Sequence, residues 1–92
     1  MAFNGTDKFK INSSCISTSI EDKSVILNVD NGKYYELNHT AALIWDCLKR
    51  EYIVTNIELE LTKNYEVNKD YVINSLDDFL NLCISFDFIK RI

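Results

Sequence analysis

The sequence predicts an α+β fold in which a three-stranded antiparallel sheet packs on three helices, and three observations predict it. β-Branched and aromatic residues dominate three short pieces between Cys15 and Leu37. An Asn31-Gly32 pair stands between the second and third pieces, where a tight hairpin needs it. Beyond Leu37 the apolar spacing changes from every second residue to every third and fourth. The 92 residues form one domain, 1–92, long enough to bury about two thirds of the extended chain's surface and so to build one small core. Hydrophobic residues at 47%, two glycines and no proline exclude a disordered, collagenous or proline-rich linker protein.

Residues 1 to about 8, MAFNGTDK, show no period and are expected to be a loose N-terminal arm. The first strand reads CISTSIE, the second SVILNVD and the third KYYEL. Asn31-Gly32 supplies the positive φ values of a two-residue type I′ turn. That turn predicts a register in which Val29 faces Tyr34, Leu27 faces Glu36, Ile26 faces Leu37 and Asn28 lies opposite Tyr35. The face carrying Val25, Leu27, Val29 and Tyr34 is the more apolar and is expected to cover the core. A simple meander leaves the third strand at an edge. With only Lys33 and Glu36 as charges, that edge is weakly protected against pairing with another strand.

Asn38 is a good N-cap for a first helix ending near Glu51, with Ala41, Ile44, Trp45 and Leu48 on one face and Trp45 as core anchor. Thr55 and Glu58 form a capping-box pattern for a second helix, which breaks between Asn64 and Asn68. The third helix starts at Asn68 or Lys69 and runs to about Phe86, followed by the short apolar ending Phe88-Ile89. Its stripe centres on Val72, Leu76, Phe79 and Cys83, flanked on one side by Ile73, Leu80 and Ile84 and on the other by Tyr71 and Leu82. The resulting apolar arc of about 220° exceeds the ~100° that packing on one layer requires. Either the first helix and the sheet share the excess, or one flank lines a groove beside the sheet edge.

Ten Lys and Arg against fourteen Asp and Glu give a formal charge of −4, which disfavours nucleic acid and anionic membrane as main partners. Strands with three helices also resemble a winged helix-turn-helix, and a DNA-binding regulator is the alternative function. Its recognition helix would, however, carry Asp70, Asp77 and Asp78 against Lys69. Cys15, Cys47 and Cys83 lack any CxxC spacing, and His39 is the single imidazole, so no metal site, cofactor or catalytic residue is expected. Asp77 and Asp78 point about 100° apart on a helix, which reads as a solvated face rather than a carboxylate pair. Gly5 and Gly32 are isolated, so no phosphate-cradling loop exists. No signal-like segment or run of ~20 apolar residues is present, which reads as a soluble cytoplasmic protein. What remains is a binding module whose natural ligand is an extended peptide.

Tyr34 to Trp45, YYELNHTAALIW, resembles the PqqD family. Its recurrent feature is a hairpin, then Leu-Asn-x-Thr-Ala, then an apolar helix, and here Leu37, Asn38, Thr40 and Ala41 stand in those places with Ile44-Trp45 following. The likeness covers roughly residues 15 to 90, including the Tyr65-to-Val67 break and the closing Leu-rich helix. The resemblance implies a non-catalytic recognition element that captures the leader segment of a ribosomally made precursor peptide by strand addition. It further implies presentation to a separate modifying enzyme, whether a radical or ATP-dependent maturase or a leader protease. The chain ends at residue 92 without an enzyme domain, which implies a free-standing element, with a lasso or thioether peptide pathway favoured. Peptide binding is expected at Lys33, Tyr34, Tyr35, Glu36 and Leu37 on the strand. On the helix wall it is expected at Ile73, Leu76, Asp77 and Leu80, with Asp77 or Asp78 able to pair with a basic leader residue at the rim. Asn38, Thr40, Ala41 and Trp45 are expected to be structural.

Overall fold

A computed structural model describes residues 3–21, 23–64 and 68–92. Strands β1 (Phe9–Ile11), β2 (Cys15–Ile20), β3 (Lys23–Asn28) and β4 (Tyr34–Leu37) precede helices α1 (His39–Lys49), α2 (Val54–Asn64) and α3 (Lys69–Ser85), and β5 (Ile89–Arg91) closes the chain. The antiparallel sheet β2-β3-β4 packs with the three helices in the expected α+β, winged helix-turn-helix-like arrangement. A second, two-stranded sheet pairs β1 with β5.

The sequence reading places no strand in either segment: β1 begins just past the arm expected over residues 1 to about 8, and β5 lies in the short apolar ending. Phe9 and Ile89 are buried while Lys10 and Lys90 point outward, an alternation too short to read in either three-residue strand before the two are brought together. Phe3 is buried edge-on against Phe9, with the Arg91 guanidinium over its ring. The arm also replaces the capping box expected for α2. Val54 N–H donates to the Asp7 carbonyl at 3.0 Å, and Thr55 donates from both its N–H and its hydroxyl to the Gly5 carbonyl, each at 2.9 Å. First-turn donors that Glu58 was expected to help cap are satisfied by main-chain oxygen instead. Gly5 is needed there, because a Cβ would stand 2.5 Å from Thr55 Oγ1.

The hairpin register is also corrected. Leu27 faces Tyr34, Ile26 faces Tyr35, Val25 faces Glu36 and Ser24 faces Leu37, two residues away from the type I′ pairing. Asn28 N–H donates to the Lys33 carbonyl at 2.9 Å, closing a four-residue loop over 29–32 in which only Gly32 takes a positive φ, +72°. Side-chain amides hold this wider loop. Asn28 Oδ1 accepts from Asp30 N–H and Asn31 Oδ1 from Lys33 N–H, while their Nδ2 groups donate to the carbonyls of Asp87 and Phe86. Asn12 adds a third amide, donating to the same Asp87 carbonyl, and the Ser14 hydroxyl bonds the Asp30 carboxylate. These contacts tie the hairpin to the end of α3 and outweigh the local preference of Asn-Gly.

The sheet face turned to the core is therefore Ile26, Asn28, Tyr35 and Leu37, not the more apolar set. Val29 and Tyr34 are 58% and 68% exposed. Because α1 starts two residues after Leu37, the chain folds back over the face on which Leu37 and Ile26 lie. Asn28, wholly buried, tolerates that face because both ends of its amide are bonded. The helices otherwise follow the reading above: Asn38 and Asn68 cap α1 and α3, each Oδ1 accepting at 2.8 Å from the N–H three residues on. Val72, Leu76, Phe79 and Cys83 are buried, as is Trp45, whose ring meets Phe88 edge-on. The break expected at 65–67 lies outside the described residues.

Candidate functional site

In an antiparallel ladder, successive residues turn their main-chain groups alternately toward one neighbour and the other. Since the Lys33 carbonyl accepts from β3, the C=O of Lys33 and the N–H and C=O of Tyr35 and Leu37 point inward, and the N–H and C=O of Tyr34 and Glu36 point to the free side of β4. β4 is an edge strand, and the N-terminal arm lies elsewhere, against the start of α2. Among the described residues nothing pairs with this row.

Beside the row lies a cleft of about 230 Å³. One wall comes from β4 and the first turns of α1: Tyr35, Asn38, Thr40, Ala41 and Ile44. The other is a ridge of α3: Tyr71, Ser75, Asp78, Phe79 and Leu82. Tyr35 is half-buried and shapes the floor, its ring 6.4 Å from Phe79 and 6.2 Å from Phe86. Lys33 stands outside this lining, its Nζ 5.2 Å from the Phe86 ring centroid. The Asn38 cap sets the direction in which α1 leaves the sheet, and so the width of the cleft.

The expected binding residues divide. Lys33, Tyr34, Tyr35 and Glu36 stand on or beside the open edge, although the Tyr34 side chain faces solvent on the outer side of the sheet and Glu36 is paired with Lys23 at 3.3 Å. Leu37 contributes an inward-facing main chain and a buried side chain. On α3 the expected residues lie outside this cleft. Leu76 and Leu80 are wholly buried core residues, and Ile73 lines a different hollow with Leu59 and Thr62 of α2. Asp77 is half-buried and does not line the cleft. The reason is that α2 packs over the Ile73 side of the helix, which leaves the opposite flank, Tyr71 to Leu82, facing β4. Tyr71, Ser75, Asp78 and Leu82 follow each other at helical spacings of four, three and four residues. Tyr71 and Leu82 were visible in the sequence as an apolar flank, but not which flank a neighbour would cover. Asn38, Thr40 and Ala41 combine their structural role with a place in the wall.

Among the described residues no group of three or more His, Cys, Asp and Glu side chains could hold a metal ion. Burial pushes all three free thiols above the ordinary value, helped at Cys15 by the carboxylates of Asp87 and Asp30, at Cys83 by Cys15, and opposed at Cys47 by Arg50. None is poised as a thiolate. No helix among the described residues is long and apolar enough to cross a membrane.

The family model for coenzyme PQQ synthesis protein D (PqqD) matches residues 23–87, more than two thirds of the chain, from β3 through α3. The chain belongs to the PqqD family. PqqD-like recognition elements are non-catalytic binding proteins. The structure is similar to that of TbiB1 in complex with the TbiA(β) leader peptide, with a TM-score of 0.80 and 26% identity over 88% of this chain and 94% of that one. It also shares its fold with lasso peptide synthetase B1 complexed with the leader peptide, with a TM-score of 0.79 and 22% identity over 89% and 96% of the two chains. No curated protein matches the sequence. The PqqD match stops before β5 and begins after β2, so the β1–β5 ribbon lies outside it.

Proposed function

We propose that this PqqD-family chain is a recognition element that captures the leader segment of a ribosomally made precursor peptide and holds it for a separate modifying enzyme. The observation that carries this reading is the open row of main-chain groups at Tyr34 and Glu36, set beside a cleft with an apolar floor. A leader strand laid along β4 gains hydrogen bonds that do not depend on its side chains, while the cleft reads alternate residues. Family membership and the likeness to TbiB1, solved with a leader peptide, support it. The proposed partners are the precursor and a radical or ATP-dependent maturase or leader protease, in a lasso or thioether peptide pathway of the cytoplasm. Ordering a flexible leader offsets part of the contact energy, which sets the expected affinity between roughly micromolar and nanomolar.

The test is calorimetric titration with the leader of a precursor encoded beside this chain. The expected result is saturable one-to-one binding that is lost when Tyr34 and Glu36 are both replaced by proline. Equal affinity for the doubly substituted chain would overturn the reading. A gel shift on random duplex at low salt separates the winged-helix alternative, since nonspecific phosphate binding appears there first.

A further inference from the structure

The walls of the cleft hold one carboxylate, Asp78, and no cation. Asp78 is exposed at the rim and has no intrahelical balance: the positions three and four residues away are Asn74, Ser75, Asn81 and Leu82. The ion pairs at Asp7, Glu36 and Asp46 do not involve Asp78. Beneath Asp78 the surface turns apolar, with Ile44 and Phe79 buried and Leu82 half-buried. The rings of Tyr35 and Tyr71 also line the cleft. A side chain matching this gradient has a long apolar stem and a cationic end. Lysine and arginine have that shape: their methylenes cover apolar surface while the head stays at the wet rim, and aromatic faces add attraction for the charge.

We infer that the cleft selects a leader carrying a lysine or arginine at the position whose side chain turns toward α3, and that Asp78 is the residue that reads it. This rests on the leader-capture reading and names the chemistry of the segment captured. The charge pair lies at an exposed rim, so its share is a selectivity of about three- to fivefold over an uncharged stem of the same length, and it is screened by salt. Strand pairing and the apolar floor supply the rest.

The test is selection from a displayed library of random dodecapeptides against the full chain and against Asp78→Asn and Asp78→Lys. Asp78 is exposed, so both variants are expected to fold, and circular dichroism checks that they do. The parent chain is expected to enrich peptides with Lys or Arg at one fixed position within an apolar, strand-forming context. Asp78→Asn is expected to lose that preference, and Asp78→Lys to turn it into Asp or Glu at the same position. In the best peptide, replacing the cation by norleucine should weaken binding three- to fivefold for the parent and leave Asp78→Asn unchanged. Enrichment of strand-forming peptides without a charge preference, or a preference that survives both variants, overturns the role of Asp78 while leaving leader capture intact. Failure to enrich any peptide that depends on the Tyr34 and Glu36 amides overturns both.

Discussion

Replacing Asn28 by alanine probes how the binding edge is held in place. The side chain is fully buried and bonded at both ends, Nδ2 donating to the Asp87 carbonyl at 2.9 Å and Oδ1 accepting from Asp30 N–H at 2.9 Å. Each bond contributes about 0.5–1.5 kcal/mol, and the truncation leaves a small void, so the expected loss is about 2–4 kcal/mol. That is a large part of the roughly 5–14 kcal/mol available to a domain of this length. Asn31→Ala is the internal control. It also removes two hydrogen bonds, to Phe86 and from Lys33, but at an exposed position where water replaces them, so the expected loss is below about 1 kcal/mol. Urea denaturation followed by the fluorescence of Trp45, the one tryptophan, measures both. An Asn28→Ala loss no greater than that of Asn31→Ala would refute the claim that buried amide bonding, rather than Asn-Gly turn geometry, sets the register of β4.

Further outcomes follow from single contacts. Gly5→Ala should destabilise by about 1–3 kcal/mol in the same assay, because the new Cβ crowds Thr55 Oγ1 and breaks the hydrogen bond that caps α2. Leu76→Ala, in the core rather than the groove, should cost about 2–5 kcal/mol and leave leader affinity unchanged in the fraction that stays folded. Proline at Glu36 should weaken leader binding with little loss of stability, since its N–H points away from β3, whereas proline at Tyr35 should unfold the hairpin by removing an inward donor. The buried thiols retain their protons longer in the folded chain than in the unfolded one. Stability should therefore fall as pH rises past the ordinary thiol value of about 8.5, and Cys83→Ala should flatten that slope in denaturation curves taken at pH 8 and pH 10.

The elements that proved legible were those whose information is local. The asparagine caps of α1 and α3, the α3 stripe and the edge position of β4 all follow from residues within a few positions of each other. The misread features depend on distant partners. β1 and β5 are three residues each and acquire an inside only by pairing across nearly the whole chain. The hairpin register was decided by Phe86 and Asp87 carbonyls more than fifty residues away. The same holds for the site. The sequence marks an open edge and an over-wide apolar helix, but Ile73 and Tyr71 look alike as flanks until α2 covers one of them. Asp78 lines the groove and Asp77 does not, because α2 packs on the Ile73 side of α3.

Leader capture by strand addition stands most directly on the amides of Tyr34 and Glu36. Hydrogen exchange of the isotopically labelled chain, recorded residue by residue with and without a saturating leader peptide, reads them individually. Slowed exchange at these two amides, with Ser17 and Ser19 on the opposite edge of the sheet unchanged, is the predicted result. Saturation of binding with no protection at Tyr34 and Glu36, or with protection moved to β2, would contradict it.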